Sequence, residues 1–548
     1  MADHVPDVLE TISQIAADDV YTPPKIANAV LDLLPAEVWT SHPEYRWLDP
    51  GCKSGVFLRE AYRRLMIGLS VRYPNAQERR NHILKNMLHA EPTTALNGLM
   101  TRRSLYQTTD ATGANILDSA LERLHVKFEN EQGNAPFIET RHRLDKLGKA
   151  CVLCKAPASL IRSRRENFAY SFIHNIDKQE EMADMKFDVI VGNPPYQIGM
   201  EDAEGNKVAN ITPLYNLFVE QAISLEPKYI AMITPSRWFG GGKGLASFRA
   251  KMIKDRRLRF ITDIPDATEV FPTVEIKGGV SYFLWDRDWS GDCTFSTFQN
   301  GRIQASQSLH LAKYGDVILR DIFGSRIVDK ILKSAHYRDG LHNVVSFRDP
   351  FGQSLTSNFK DFKEEPFPNS IPLIFNNKVG HVSSKQLERN LDWVDKWKVI
   401  IPKASDGTSR ESATVLGEPI ALAPGSACTQ SYLVAGTFES KKETANYARY
   451  LTTKFCRFLV LQKKMTQNMT GAMFSFVPAL DWTKPWDDKT LFELFELTKE
   501  EIAYIERIVG DRGWIDNLQS SIPTTHLPGG RKYKANQDET ADEEQLDD

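Results

Sequence analysis

The chain has 548 residues, 41% of them hydrophobic and 25% charged, which supplies cores for roughly two to four domains and excludes a chain disordered throughout. Its first residues, Met1 to Asp7, lack the basic-then-apolar order of an export signal, and no apolar run is long enough to cross a bilayer, so a cytoplasmic location without a membrane partner is expected. The net charge is −3, but residues 536–548 carry seven acids and no base, leaving +4 for the rest. An anionic partner would therefore be held by a local groove rather than by a general basic field. Six cysteines in so long a chain do not make a disulfide framework, and reduced thiols are expected.

After a lead segment, 1–20, the run Tyr21-Thr22-Pro23-Pro24 opens an amphipathic stretch to Leu34 that reads as a capped helix. Next comes Trp47-Leu48-Asp49-Pro50-Gly51-Cys52-Lys53-Ser54-Gly55-Val56-Phe57-Leu58: a short apolar strand, an acid, a glycine-containing turn, then a helix from about Val56 to Met66. Glycines at a helix N-terminus let a nucleotide-type ligand approach the backbone, and the Asp49 carboxylate can hold a cationic group nearby. The spacing is not that of a Walker lysine loop. Met87-Leu88-His89-Ala90-Glu91 ends a second apolar stretch on an acid, where an open α/β sheet places a carboxylate on ribose hydroxyls.

An insertion of about residues 107–170 separates this part from the next strand, and it carries Cys151-Val152-Leu153-Cys154 with His142 upstream and His174 downstream. A structural zinc held by Cys151, Cys154 and two histidines is one reading; unmetallated thiols are the other, because the separations are not a standard finger spacing.

Asp188-Val189-Ile190-Val191-Gly192-Asn193-Pro194-Pro195-Tyr196 is an apolar strand running into a rigid turn. Two consecutive prolines fix φ and remove two backbone donors, so nearby carbonyls remain free to accept hydrogen bonds. A planar amino-heterocycle could donate one N–H to the Asn193 side-chain oxygen and the other to the Pro194 carbonyl while Tyr196 stacks on its ring. Two acceptors off the amine plane favour a tetrahedral nitrogen whose lone pair is usable as a nucleophile.

Beyond the turn, Ile230-Ala231-Met232-Ile233-Thr234-Pro235-Ser236-Arg237-Trp238-Phe239 reads as a strand and loop before Gly240-Gly241-Gly242. Arg237, Trp238 and Lys243 are candidates for contact with DNA, with Phe271 as a further stacking ring, while Lys251, Lys254, Arg256 and Arg257 line either the same groove or a solvated helix face. Pro265-Asp266 followed by Glu275-Ile276-Lys277 imitates a metal-dependent nuclease spacing, yet Glu275 to Trp285 reads better as a turn into a late strand. From 296 to 520 the texture changes to short β-rich runs (Ile371 to Phe375, Val399 to Pro402) and helices, among them Thr444 to Lys464, whose Tyr447, Leu451, Phe455, Phe458 and Leu459 form a core stripe. The exit run Lys463 to Asn468 reads as a solvated helix end rather than a base contact. Residues 521–548 form an acidic tail expected to be disordered.

In this order, together with Arg102-Arg103-Ser104-Leu105-Tyr106, these segments resemble the amino-methyltransferases of bacterial restriction-modification systems that act on DNA bases with S-adenosylmethionine, over about residues 20–290. The resemblance implies an α/β fold, with a Rossmann-like methyltransferase sheet and helices on both faces over 21–295, followed by a mixed α+β target-recognition domain over 296–520. It makes Asp49, Pro50, Gly51, Ser54, Gly55 and Phe57 the methionine-binding loop, Glu91 the ribose ligand, Thr22 and Pro23 part of the element beside the cofactor, and Asn193, Pro194, Pro195 and Tyr196 the catalytic tetrad. Asparagine at 193 favours a flipped adenine as substrate, and methylation at carbon 5 of cytosine is disfavoured because no cysteine nucleophile lies near the Pro-Pro turn. Double-stranded DNA and a separate restriction endonuclease are the implied partners, and no catalytic metal is expected. The family usually has glycine where this chain has Lys53, and an outward-pointing lysine tolerated by the loop is the expectation. A fused nuclease, an RNA or protein-glutamine methyltransferase, and a non-catalytic DNA-recognition subunit remain alternatives.

Overall fold

The computed structural model describes residues 20–114, 125–158, 169–174, 185–198, 212–272, 274, 276–404, 415–464 and 468–510. Most of the lead segment, the acidic tail, Glu275 and residues 465–467 lie outside them. Two compact units are present, one ending at Ile318 and the other starting at Leu319.

The first unit is built on an eight-stranded mixed sheet. Its strands are β1 (Trp47–Cys52), β2 (Leu88–Pro92), β3 (Val189–Gly192), β4 (Tyr229–Pro235), β5 (Leu258–Ile264), β6 (Val280–Asp286), β7 (Cys293–Gln299) and β8 (Arg302–Leu309). Their order is β8-β7-β5-β6-β4-β3-β1-β2. Strands β2, β1, β3 and β4 run parallel, β6 is antiparallel to both its neighbours, and β7–β8 is an antiparallel hairpin. Every residue of β1, β3, β4 and β6 is buried. Successive side chains on a strand point to opposite faces, so continuous burial requires both faces of the sheet to be covered.

The chain leaves β1 toward β2 on one side and returns to β3 on the other. The loops after β1 and β3 therefore diverge at a switch point of the strand order, where an open α/β sheet forms its crevice. The expected domain boundary at residue 295 falls inside β7, and the unit continues to Ile318. The reason is the edge position of β8: most of its residues are exposed or half-buried, so its polar sequence gives little sign that it belongs to a sheet.

The second unit contains two three-stranded sheets and several helices. In one, β10 (Lys378–Val382), β9 (Ile371–Phe375) and β13 (Ala427–Cys428) are adjacent; in the other, β12 (Ile420–Leu422), β11 (Trp397–Pro402) and β14 (Tyr432–Phe438). Phe351, Leu373, Ile374, Ile400 and Val434 are among the residues of their shared core. The helix expected over 444–464 is two helices, Lys441–Thr452 and Lys454–Lys463. Thr453 breaks it, with an extended backbone and a hydroxyl that accepts from the Cys456 N–H as an N-cap. The stripe Tyr447, Leu451, Phe455, Phe458 and Leu459 is fully buried. Lys463 and Lys464 are not a solvated end: Lys464 is buried with Nζ donating to the Val415 carbonyl at 2.7 Å, and Lys463 donates to Ser475 Oγ at 3.1 Å. Among the described residues no helix is long and apolar enough to cross a membrane.

Candidate active site

The glycine loop leaves β1 at Cys52 and enters the helix Val56–Gly68 through Gly55, whose φ of 76° is the left-handed conformation glycine adopts most easily. A second helix, Ala95–Tyr106, fastens the loop from outside: Thr101 Oγ1 donates to the Lys53 carbonyl at 3.2 Å and Ser104 Oγ to the Ser54 carbonyl at 2.7 Å. These bonds spend the loop's outward carbonyls and hold it in one shape.

The loop also interlocks with the Asn-Pro-Pro-Tyr turn. A Cβ on Gly51 would lie 3.1 Å from Pro194 Cα and 3.2 Å from Pro195 Cδ. At Gly192, φ is 154° and a Cβ would meet Asp49 Oδ1 at 2.6 Å. Glycine is needed at these two positions for the approach of one loop to the other.

Asn193 is buried, and its Nδ2 donates to the Val20 carbonyl at 3.1 Å and to Thr22 Oγ1 at 3.0 Å. The Val20 carbonyl can only accept, which fixes the amide with its nitrogen toward residues 20–22. Asn193 Oδ1 is left buried with no hydrogen-bond partner, and the Tyr196 hydroxyl shares that condition. Burial pushes the Tyr196 phenol far up, with the neighbouring Asn193 amide acting weakly in the other direction, although no hydrogen bond of good geometry joins them.

Lys53 does not point outward. It is only 7% exposed, and its Nζ donates at 3.2 Å to the Val20 carbonyl and at 3.2 Å to the Asn193 carbonyl. Burying an ammonium costs desolvation, and the two carbonyls that converge on it offset part of that cost while gaining a donor themselves. Lys53 thus ties together the loop, the turn and the segment before the first helix.

A space of about 220 Å³, open to solvent, is lined by Thr22, Asp49, Gly51, Lys53, Ser54, Gly55, Val56, Phe57 and Asn193. Pro23 caps the helix Pro24–Leu31 alongside, and Pro50 is part of β1. Glu91 is not in that lining: it stands near the end of β2, buried, accepting from Ser171 Oγ at 2.7 Å. Burial raises Asp49 to about 7, offset in part by Cys52, the Gly51 N–H and Lys53. Burial likewise raises Glu91 to about 7, with Ser171 opposing. In both, removal from water disfavours the charged carboxylate more than the neighbouring donors favour it.

Two of the candidate DNA contacts are corrected. Trp238 is 1% exposed and packs edge-on against Phe239 and Phe248, and Phe271 is 2% exposed, so neither offers a stacking face. Arg237 and Lys243 are exposed. The cations that follow are largely committed: Lys251 to Glu220, Arg256 to Asp292, and Arg257 to Asp255 while lying over Trp285. Asp266 of the nuclease-like spacing caps a short turn through the Thr268 N–H and hydroxyl.

Motif reading missed Val20, Ser171, Thr101 and Ser104. Val20 acts through its carbonyl, which no side-chain pattern reveals, and the other three are hydroxyls whose partners lie 48 to 80 residues away in sequence. Cys151 and Cys154 are brought together with His142 and His174.

Residues 86–271 match the family described as Eco57I restriction-modification methylase. The chain is 35% identical over 314 residues to a protein of Mycoplasma pneumoniae described as an uncharacterized adenine-specific methylase, covering 53% of this chain and 72% of that one. Solved structures are more distant. The modification subunit assigned to a type I restriction enzyme of Vibrio vulnificus is similar at 17% identity and a TM-score of 0.33, over 54% of this chain and 51% of that one. A nuclease-deletion mutant of the Type ISP enzyme LlaGI, in complex with a DNA substrate mimic, is similar at 10% identity and a TM-score of 0.44, over 82% and 45%. The chain thus spans about half the length of these solved relatives, and at such similarity they add nothing to the assignment. Alignment at 35% identity over 72% of the Mycoplasma protein, with the family match across β2 to Phe271, establishes that the chain belongs to the adenine-specific methylases of restriction-modification type.

Proposed function

We propose that this chain transfers a methyl group from S-adenosylmethionine to the exocyclic amine of an adenine turned out of duplex DNA. The observation that carries this reading is Asn193, which has both amide donors spent on Val20 and Thr22 and its oxygen buried without a partner. An acceptor kept dry and unmatched is costly to a fold, by roughly 1–3 kcal/mol, and a substrate N–H would remove that cost. Asn193 Oδ1 accepts one amine hydrogen and the Pro194 carbonyl the other, drawing the nitrogen toward a tetrahedral geometry with its lone pair directed out of the ring. Tyr196 supports the base by stacking, which is worth about 1–3 kcal/mol per base and opposes the few kcal/mol of unstacking.

The donor set fits the methyl donor. When bound, that molecule supplies a methyl group on a sulfonium centre. Asp49 and the backbone of the glycine loop hold its methionine end, with Ser54 and Phe57 nearby, and Glu91 receives the ribose hydroxyls. Lys53 brings a cation into the same space, and Asp49 compensates for it. By holding the Asn193 carbonyl, Lys53 keeps the turn seated while the side-chain amide works. The second unit, from Leu319 onward, is read as the target-recognition part, with double-stranded DNA and a cognate endonuclease as partners.

The test is to incubate the protein with duplex DNA and isotopically labelled S-adenosylmethionine without magnesium, digest the DNA and identify the labelled nucleoside. Label on the adenine amine is expected. Label confined to RNA or protein, or on cytosine, overturns the substrate; failure to bind the donor at all favours a recognition subunit.

A further inference from the structure

We propose that His142, Cys151, Cys154 and His174 bind one structural zinc ion, which fastens the insertion beside Glu91. One ligand atom from each of the four lies within 4.8 Å of all the others. Cys154 Sγ is 3.3 Å from His142 Nδ1 and Cys151 Sγ is 3.7 Å from His174 Nε2. Zinc–sulfur and zinc–nitrogen bonds at tetrahedral angles separate sulfur from nitrogen by roughly 3.5 Å, so the pairs already stand at ligand spacing. Two thiolates and two neutral imidazoles balance the charge of the ion, and tetrahedral sulfur-and-nitrogen sites select zinc.

Local backbone prepares the site. Residues 144–157 form a narrow double hairpin that shares its middle segment: Leu144 bridges Cys151, and Ala150 bridges Pro157. The chain turns tightly around the cysteines: the Cys151 N–H donates to the Ala156 carbonyl at 2.8 Å, and Lys155, just after Cys154, adopts a φ of 59°. His174 Nδ1 lies 2.9 Å from the Tyr170 carbonyl. That oxygen can only accept, so Nδ1 carries the proton and Nε2 presents its lone pair to the cluster, as the outer hydrogen bond of a metal-bound histidine does.

The hairpin also needs a clamp. Three of its large apolar side chains, Leu144, Leu147 and Val152, are exposed and Leu153 is half-buried, whereas Cys151, Cys154 and His174 are buried. A segment that turns its leucines to water and its ligands inward gains little from apolar burial, the condition in which small elements rely on a metal or a disulfide. Both cysteines are free thiols here.

The ion would act at a distance on the cofactor side. Ser171 and His174 belong to one short helix, Ser171–His174; Ser171 Oγ holds Glu91 and His174 enters the cluster. Metal binding therefore sets where Ser171 meets Glu91. This link rests on the reading of Glu91 as a donor ligand; the metal site itself does not.

The experiment is elemental analysis of the full-length, untagged protein, followed by titration of the reduced, chelator-dialysed chain with zinc and with cobalt(II). One zinc per chain and a thiolate-to-cobalt charge-transfer band are expected, both absent from the Cys151→Ser, Cys154→Ser double variant. Because that variant could misfold, the wild-type chain is also stripped of metal and its affinity for S-adenosylmethionine measured by calorimetry, with a loss of about 10-fold expected and recovery on adding zinc. No zinc in the purified protein and none taken up on titration overturns the site. Zinc retained by the double variant does the same, and unchanged donor affinity with a metal confirmed present overturns the link to Glu91. Failure of methyl transfer alone would touch the proposed function and leave the metal result standing.

Discussion

The two units satisfy their buried lysines alike, but the first leaves buried polar atoms unmatched beside one of them. In the second unit Lys398 is fully buried, with Nζ donating to the Val394 carbonyl at 3.3 Å and to Ser426 Oγ at 3.2 Å, and burial lowers it to about 8. Lys464 is treated likewise by Val415. In the first unit Lys53 has the same kind of satisfied environment, yet within the same turn Asn193 Oδ1 and the Tyr196 hydroxyl are buried and unmatched. Buried polar atoms are normally paired, so a buried lysine alone says little about function, while an unmatched acceptor held by matched neighbours says much more. Unmatched atoms occur elsewhere among the described residues, the Asn216 amide oxygen and the Tyr215 hydroxyl included, but of all these residues Asn193 alone belongs to the lining of the space beside the glycine loop.

The largest effect should come from Asn193→Ala. Methyl transfer is expected to fall on the order of 10³-fold, the scale for losing one preorganised polar group at a reacting centre, while donor binding survives. Transfer assays paired with calorimetry check this, and a variant that still methylates would abolish the contrast just drawn.

Next, Lys53→Met is set against Lys398→Met. Each removes a buried ammonium together with the hydrogen bonds it donates and should cost about 1–3 kcal/mol in denaturant unfolding of its own unit. Only Lys53→Met should lower kcat, by about 10-fold, because only that lysine holds the carbonyl of Asn193. Equal kinetic effects would mean that both act through stability.

A further test concerns pH. Asp49 and Glu91, raised to about 7 by burial, must be anionic to meet the donor's ammonium and hydroxyls. Affinity for S-adenosylmethionine should therefore weaken as pH falls from 8 to 6, approaching 10-fold per pH unit for each group below its pKa. Because their folded values lie above the unfolded ones, the free chain loses stability as pH rises from the ordinary carboxylate range toward 7. Donor binding offsets that loss, so the thermal shift on adding donor should be larger at pH 8 than at pH 6. Asp49→Asn should flatten the profile, and an unchanged slope would remove Asp49 from the binding site.

Much of the first unit could be read from the sequence because its strands are continuous apolar runs and its two loops carry their own punctuation. Trp47 to Cys52 and Val189 to Gly192 stand out as strands for that reason, and the prolines and glycines after them fix where each ends. What was not legible depends on groups far apart in sequence. The partner of Lys53 is a carbonyl 140 residues on, so a local reading left its side chain in solvent. Trp238 looked exposed among glycines, but Phe239 and Phe248 close over it. Thr453 is unremarkable inside a helical pattern until its hydroxyl is seen to cap the next helix. His142 and His174 flank the cysteines at unequal distances, a spacing that becomes meaningful only once Tyr170 and the hairpin orient them.

The position of β6 has a consequence for synthesis. It is the sixth strand of the large sheet in sequence, yet it lies between β4 and β5, which precede it. While the chain emerges from the ribosome, β4 keeps one edge of backbone N–H and C=O groups unpaired until residue 286 has appeared, some 50 residues after β4 itself is complete. During that interval the nascent catalytic unit is open to pairing with a neighbouring copy on the same messenger, and the insertion of one antiparallel strand closes it.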